Sequence, residues 1–167
     1  WYSMQGEAKR DYPASILHQN AWYKDWKLVE DYFARLAVLS AEGERICNVL
    51  YLVPMREAWG SVHLGWMEGL RTKEGNAVRL DTEYVNDFHR ITEKGIDFDY
   101  GDEEILRKYG SVESENGKTY LRVGKVRYDR LYWKSSHHIC GEVRNLIERF
   151  IAAGGIVTEE IEELSSD

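Results

Sequence analysis

The chain has 167 residues, of which 43% are apolar, 31% charged and 13% aromatic, and its formal net charge is −7. This composition excludes a disordered chain, and the length favours one ordinary α/β domain whose core needs no disulfide or metal. The negative charge argues against binding to duplex nucleic acid, and no apolar run approaches the roughly 20 residues that span a bilayer. We therefore expect neither nucleic acid nor a membrane among its partners.

The first segment, residues 1–26, is rich in aromatic and polar residues but has no clear periodicity. This pattern predicts a structured arm that links to a domain upstream of the chain. Trp22 and Trp26 in this arm, and Trp59 and Trp66 further on, are candidates for contact with a protein surface or a sugar, because tryptophan is enriched in interfaces. Ordinary packing of the arm onto its own domain is the alternative.

The elements that follow alternate between helix and strand. Apolar residues recur at three- and four-residue steps over 27–41, which predicts a helix that ends before Gly43. A nearly continuous apolar run over 46–54 predicts a strand that is covered on both faces, as in a parallel sheet. The glycine-containing stretch 56–79 predicts a long loop.

The rest of the chain continues the alternation. It predicts, in order, a helix over 81–94 capped by Asp81, a strand over 95–99, a helix over 102–109 capped by Asp102, a hairpin at Asn116-Gly117, a strand over 130–133, a helix over 139–152 and a strand over 156–157. Residues 159–167 are acidic and are expected to form a frayed tail. We therefore predict an α/β domain over 27–158, with a three-layer, open, mostly parallel sheet, helices on both faces and a small hairpin.

Ligands of such sheets bind beyond the carboxyl ends of the strands, so the segments 54–59, 99–103 and 133–138 are the places to search. A nucleophilic site is one possibility, because Ser135, His137, His138 and Cys140 all follow the strand predicted over 130–133. However, hydrolases and amidotransferases of this architecture carry the nucleophile on a glycine-flanked turn between strand and helix, and this segment lacks one. A helix cap for the serine and first-turn positions for the histidines are the simpler interpretation.

The sequence also contains candidates for metal and acid–base sites. Asp97 and Asp99 end a predicted strand with a spacing that suits a divalent cation, although acidic residues near a helix start also complement its dipole. The adjacent His137 and His138 point in different directions and lack further zinc ligands. Glu57 could act as an acid or base, but glycoside hydrolysis needs a second placed carboxylate. No phosphate-binding glycine loop follows a strand, so the sequence predicts no metal and no cofactor.

Several segments keep the order found in large multidomain glycoside hydrolases of the α-L-rhamnosidase type. They are Ser3-Met4-Gln5-Gly6, Lys9-Arg10-Asp11-Tyr12-Pro13, Gln19-Asn20-Ala21-Trp22, Asp31-Tyr32-Phe33-Ala34-Arg35-Leu36, Val49-Leu50-Tyr51-Leu52-Val53-Pro54, Gly95-Ile96-Asp97-Phe98-Asp99-Tyr100, Leu121-Arg122-Val123-Gly124 and Gly154-Gly155. The chain resembles the stretch of those enzymes that follows the catalytic barrel, over residues 6–157.

The resemblance implies a class I glutamine-amidotransferase-like domain with a flavodoxin-like sheet, similar to the trimerisation domain of some β-galactosidases. Such domains generally lack the amidotransferase cysteine and its partners, so the resemblance implies no catalytic residue in this chain. It implies a non-catalytic accessory domain of a carbohydrate-active enzyme, which packs on the catalytic barrel of the same parent chain or mediates homo-oligomerisation. The alternatives are a carbohydrate-binding module that uses Trp59 or Trp66, and a self-contained hydrolase or amidotransferase that uses Cys140 or Ser135 with His137 or His138.

Overall fold

The computed structural model of the chain describes residues 18, 20–43, 46–63, 65 and 75–165. Its backbone contacts divide the chain into two compact units, Trp1–Arg45 and Ile46–Asp167. The first unit contains a short 3-10 helix, Tyr23–Asp25, followed by helix α1, Trp26–Glu42. The helix predicted over 27–41 is therefore confirmed, and the predicted start of the α/β domain at residue 27 falls inside this first unit.

The second unit contains the remaining described helices and all the described strands. The strands are, in chain order, β1 (Val49–Leu52), β2 (Phe98–Gly101), β3 (Gly110–Glu115), β4 (Lys118–Val123), β5 (Val126–Tyr128), β6 (Arg130–Tyr132) and β7 (Ile156–Thr158). The helices are α2 (Met55–Ser61), α3 (Asn76–Glu93), α4 (Glu103–Tyr109) and α5 (Gly141–Ala152), and a 3-10 helix, Ile161–Leu164, follows β7.

The second unit is a mixed α/β structure that contains two sheets. Four strands form a wholly parallel sheet in the order β2-β1-β6-β7, so the predicted parallel sheet is present. The predicted small hairpin is part of a three-stranded antiparallel sheet, β3-β4-β5. Its turn is at Asn116-Gly117, where both residues have positive φ angles of 53° and 77°, as a tight two-residue hairpin turn requires.

Side chains of the parallel sheet are buried on both of its faces, because successive residues of a strand point to opposite sides. Leu50 and Leu131 belong to a buried cluster that includes residues of α4 and α5. Tyr51 and Tyr132 belong to a second buried cluster, which includes Ile91 of α3 and residues of the last 3-10 helix. Hydrophobic burial on each face therefore holds the helices against the sheet.

The prediction of a long loop over 56–79 is wrong for both ends of this range, and residues 64 and 66–74 lie outside the described residues. Helix α2 begins at Met55, with two residues between it and the end of β1, and α3 begins at Asn76 rather than at a cap on Asp81. Gly60 and Trp59 had suggested a loop, but the segment around them contains good helix formers, and Gly75 with a φ of 91° supplies the turn before α3. Asp81 consequently lies within α3, one turn from its start.

The prediction of a frayed end after residue 158 is wrong for the segment Ile161–Leu164. Ile161 and Leu164 are the two apolar residues of this acidic stretch, and both are fully buried in the cluster beside α3. Because a 3-10 helix has three residues per turn, the three-residue spacing places both side chains on the same face. Two buried apolar groups are enough to hold this short segment against the core.

Candidate functional site

A cavity of about 540 Å³ lies at the carboxyl ends of β1 and β2, next to helices α2 and α3. Open α/β sheets bind their ligands beyond the carboxyl ends of their strands. Most of the cavity wall is apolar, and its apolar residues include Val53, Met55, Ala58, Ala77, Leu80 and Ile105.

Three tyrosines, Tyr51, Tyr84 and Tyr100, form an aromatic part of the cavity wall. Their ring centroids lie 5.0 to 6.0 Å apart, which is within the range of favourable aromatic contact. Burial raises the pKa of Tyr51 and of Tyr100, and the hydroxyl of Tyr100 also hydrogen-bonds Tyr84. Tyr51 and Tyr100 therefore stay neutral at physiological pH.

A polar cluster, defined by Arg79, Glu83, Asp87, Lys134 and His137, lies between α3 and the loop that follows β6. The first three residues recur at four-residue steps, so they share one face of α3. Glu83 Oε2 accepts a hydrogen bond from His137 Nε2 at 3.0 Å, and Glu83 Oε1 accepts one from Arg79 Nη1 at 2.7 Å. Glu83 therefore holds the loop after β6 against α3.

Asp87 is the most buried carboxylate of this polar cluster, with 3% of its surface exposed. Its Oδ2 accepts hydrogen bonds from Tyr51 at 2.9 Å and from Lys134 Nζ at 2.6 Å, and Tyr132 also hydrogen-bonds it. Burial and the negative charge of Asp87 raise the pKa of Tyr51 and of Tyr132. Two phenols and an ammonium group thus occupy the carboxylate of Asp87, so its role is structural and it is not available as an acid or base.

Glu57, which the sequence singled out as an acid or base, connects α2 to the same loop. Its Oε2 accepts the backbone N–H of His138 at 2.9 Å, and its Oε1 lies 3.2 Å from Arg79 Nη2. Burial raises the pKa of Glu57, but the hydrogen bonds from His138 and Asn76 and the charge of Arg79 outweigh it, so the pKa lies below its ordinary range. A general acid needs a raised pKa, so Glu57 is better suited to positioning the loop.

His137 is only 2% exposed, and its ring lines the cavity. The first-turn position predicted for it is wrong, because α5 begins at Gly141 and His137 instead closes a turn by donating its N–H to the Lys134 carbonyl. His137 Nε2 donates this hydrogen bond to Glu83 Oε2. Nδ1 is buried with no hydrogen-bond partner among the described residues.

The structure separates the other candidate catalytic residues from the imidazoles. Ser135 donates its backbone N–H to Glu159 Oε1 at 3.1 Å, and Cys140 lies directly before α5, half-buried. None of the described hydrogen bonds joins the Ser135 hydroxyl or the Cys140 thiol to His137 or His138. A nucleophile activated by a neighbouring base needs such a bond, so this geometry does not favour the hydrolase or amidotransferase alternative.

Asp97 and Asp99 do not form a pair at the carboxyl edge of the sheet. Strand β2 begins at Phe98, so Asp97 precedes the strand at its opposite end, whereas Asp99 lies within it. Asp99 Oδ2 accepts a hydrogen bond from the Tyr128 hydroxyl at 3.0 Å. Among the residues that the structure describes, no group of three or more histidine, cysteine, aspartate or glutamate side chains could hold a metal ion.

The candidate tryptophans occur in both units. In the first unit, the rings of Trp22 and Trp26 lie 5.6 Å apart, and Trp26 Nε1 donates to Glu30. In the second unit, Trp59 lies on α2 with 63% of its surface exposed. Trp66 lies outside the described residues. Contact of these tryptophans with a sugar or a protein surface stays a prediction.

Sequence reasoning missed Glu83, Asp87 and Lys134. The one sequence pattern that indicated this cluster was a charged residue on the inward-facing side of α3. Asp87 follows Tyr84 by three residues and precedes Ile91 by four, so it lies on the same side of the helix as these two residues. A buried carboxylate at such a position requires partners, because an unpaired buried charge is very costly. The partners come from β1, β6 and the loop after β6, which no local pattern could indicate.

Glu83 gives the protein a testable dependence on pH. Burial raises the pKa of Glu83, but the hydrogen bonds from His137 and Arg79 outweigh this, so the pKa lies below the ordinary value of 4.5. Such a carboxyl stabilises the fold above its unfolded-state pKa, and this contribution is lost as the pH falls through the folded-state pKa. We expect the free energy of unfolding to fall more steeply below pH 4.5 in the wild-type chain than in Glu83→Gln.

Urea unfolding over a pH series measures this difference. Glu148→Gln, on an exposed position of α5, is the matched control and should keep the wild-type slope. Equal slopes for wild-type and Glu83→Gln would show that the negative charge of Glu83 contributes nothing to stability over this pH range.

No family model, curated protein or solved structure matches the chain. No helix among the described residues is long and apolar enough to cross a membrane.

Proposed function

We propose that the chain is a non-catalytic accessory domain of a multidomain carbohydrate-active enzyme, and that its first unit packs on the catalytic barrel of the same parent protein. The observation that carries this proposal is the surface of α1. This helix has 17 residues and none of them is buried, although it carries large apolar side chains at helical spacing. The exposed apolar residues include Leu28, Tyr32, Phe33, Leu36 and Leu39.

An apolar helix face of this kind needs a partner. Most of the stability of a helix in a protein comes from packing of its apolar face rather than from intrinsic propensity. Leu28, Tyr32, Leu36 and Leu39 follow one another at steps of four, four and three residues, so they form one stripe. Exposed apolar patches of this extent mark protein interaction sites.

The arrangement at the carboxyl edge of the sheet supports the non-catalytic part of the proposal. Glu57, Glu83 and Asp87 are each engaged by cations or N–H and O–H donors within the second unit. Ser135 and Cys140 have no imidazole as a hydrogen-bond partner, as described above. Carboxylates that are satisfied in this way position a loop but do not transfer protons readily.

The fold supports the proposal at a coarser level. If the four parallel strands are numbered 1 to 4 along the chain, their order across the sheet is 2-1-3-4. This agrees with the start of the flavodoxin-like order. Burial on both faces of the sheet is in keeping with a three-layer arrangement. Fold alone does not establish function, so the experiment below addresses the interaction directly.

Two measurements test the proposal. The 167-residue chain should show no turnover of aryl glycosides, glutamine or simple esters, and the reading frame that encodes it should also encode a barrel with two placed carboxylates. The separately produced barrel should bind the chain, and the double variant Leu28→Ser with Leu39→Ser should weaken this binding at least about tenfold by removing buried apolar area.

The matched control is the double variant Ala34→Ser with Ala37→Ser, which alters the same helix on the side away from the Leu28–Leu39 stripe and should keep the wild-type affinity. Turnover by the isolated chain would overturn the proposal. So would equal weakening in both double variants, or a reading frame without a barrel.

A further inference from the structure

We propose that the cavity at the carboxyl ends of β1 and β2 is a binding site for an aromatic small molecule that carries no negative charge. The proposal goes beyond the accessory role, because a domain can pack on a neighbour and also bind a small ligand. It rests on three observations: the size and place of the cavity, the apolar and aromatic side chains of its wall, and the partners of the polar groups in that wall.

The size and lining of the cavity suit a small organic molecule. Its volume of about 540 Å³ lies within the range of roughly 300–1,000 Å³ that such sites occupy. Apolar side chains from α2, α3 and α4, and from the two residues that follow β1, form most of the wall. An apolar ligand would leave water when it enters the cavity, and this transfer favours binding.

Three tyrosine rings in the wall favour an aromatic ligand. Tyr51, Tyr84 and Tyr100 have ring centroids 5.0 to 6.0 Å apart. Tyr84 is half-buried and Tyr100 is exposed, so both have ring surface that a ligand can cover. A ring packed against them adds aromatic attraction to the gain from apolar burial.

Polar groups of the wall are bonded within the protein before a ligand enters. The Tyr51 hydroxyl donates to Asp87 at 2.9 Å, and Tyr100 hydrogen-bonds Tyr84. Asp102 Oδ1 accepts a backbone N–H at 2.8 Å as the cap of α4. Contact between these parts of the wall and a ligand is therefore mainly apolar.

The charged side chains of the wall select against an anionic ligand. Among the described residues that line the cavity, none is a lysine or arginine and two are aspartates, Asp81 and Asp102. His137 also lines the cavity, but its Nε2 is bonded to the carboxylate of Glu83 at 3.0 Å, so a charge on this ring already has a partner. A sulfonate, carboxylate or phosphate would lose its hydration on entry without a cation to compensate it, which is costly.

Two fluorescent probes that differ in one group test the proposal on the 167-residue chain. N-phenyl-1-naphthylamine is an uncharged aromatic molecule, and 8-anilinonaphthalene-1-sulfonate is the same framework with a sulfonate. We expect the uncharged probe to bind saturably, with a dissociation constant below about 100 μM, and the sulfonate to bind at least about tenfold more weakly. Titration in about 0.5 M sodium chloride screens the general repulsion between the sulfonate and a chain of net charge −7.

Three variants show where the uncharged probe binds. Ala58→Leu fills the cavity from α2 and should weaken binding at least about tenfold. Ala152→Leu makes the same change on an exposed position of α5 and should bind as the wild type does. The double variant Leu28→Ser with Leu39→Ser removes exposed apolar surface from α1 and should also keep the wild-type affinity for the probe.

A fourth variant tests the aromatic part of the wall. Tyr84→Leu keeps an apolar side chain there but removes one ring, so it should weaken the uncharged probe about fivefold. Thermal unfolding of each variant shows whether it has kept its fold, and Tyr84→Leu provides a second test should Ala58→Leu fail to fold.

Lack of saturable binding by the uncharged probe, or equal affinities for the two probes, would overturn the proposal. So would an unchanged affinity in a folded Ala58→Leu or Tyr84→Leu variant. Loss of affinity in the double variant of α1 would place the probe on that helix and would overturn it as well. None of the results for the cavity variants bears on the packing of α1, so the two proposals stand or fall separately.

Discussion

Replacing Asp87 with alanine is expected to lower the free energy of unfolding by about 3 kcal/mol, because a buried carboxylate would be removed from three partners. Tyr51 and Tyr132 would keep buried hydroxyls without this acceptor, and Lys134 would lose the carboxylate 2.6 Å from its Nζ. Lys134 is partly exposed, so water can compensate it in part, and the two phenols account for most of the loss.

Denaturant unfolding monitored by tryptophan fluorescence measures this effect. Glu93→Ala removes an exposed carboxylate from the last turn of the same helix and should change stability by no more than about 0.5 kcal/mol. Asp87→Asn retains an acceptor for a phenol but not the charge, so its stability should lie between those of the wild type and Asp87→Ala. A loss below about 1 kcal/mol for Asp87→Ala would mean that the polar cluster does not hold α3 against the sheet.

The second large effect is expected for Gly155→Ala, which should also cost about 3 kcal/mol, because an added methyl group would overlap a buried ring. A Cβ atom built on Gly155 would overlap three atoms of the Phe150 ring. Phe150 is fully buried in the cluster formed with α4 and α5, so its ring has no free space into which to move. The requirement for glycine here comes from this close approach alone.

Gly141→Ala is the matched control for this prediction. A Cβ on Gly141 meets no atom within 4 Å, and the residue is the first of α5, where alanine is a better helix former than glycine. Its stability should therefore equal or exceed that of the wild type in the same unfolding experiment. If Gly155→Ala proved as stable as Gly141→Ala, the packing of the Phe150 ring against Gly155 would be looser than the structure has it.

The polar cluster and Glu57 together explain how the second unit shapes its cavity. Glu57 fixes the backbone of the loop after β6 from the side of α2, while Glu83 fixes the His137 side chain from α3. The loop is thereby held where His137 lines the cavity. Weakening either contact should affect the cavity before it affects the sheet, because the strands are held by their own backbone hydrogen bonds and apolar faces.

Features that depend on short-range interactions could be predicted from the sequence. Asn116-Gly117 determines the hairpin turn because both residues tolerate positive φ angles. Asp102 caps α4 by accepting the N–H of Ile105, three residues away. The apolar run that contains β1 indicated a buried parallel strand, and the periodicity of α1 and α5 located those helices to within two residues.

The start of α3 and the position of β2 were predicted less well. Asp81 is a residue type that commonly caps a helix, yet α3 begins five residues before it. The additional turn forms because Val78 and Leu80 are buried against other parts of the chain. Strand β2 is shifted by two to three residues from the predicted range, since its bounds follow from pairing with β1. That shift is what separates Asp97 from Asp99.

By itself, the sequence determined the alternation of helices and strands, the parallel character of the main sheet, the hairpin and the cap of α4. Each depends on residues within a few positions of one another, where backbone sterics and hydrophobic periodicity act directly. Only the tertiary structure decided the composition of the site. Tyr51 and Asp87 are 36 residues apart, Glu83 and His137 are 54 apart, and Glu57 and His138 are 81 apart. These partners meet because the parallel strands bring their carboxyl ends to one edge of the sheet, and no local pattern specifies which side chains from distant segments will pair there.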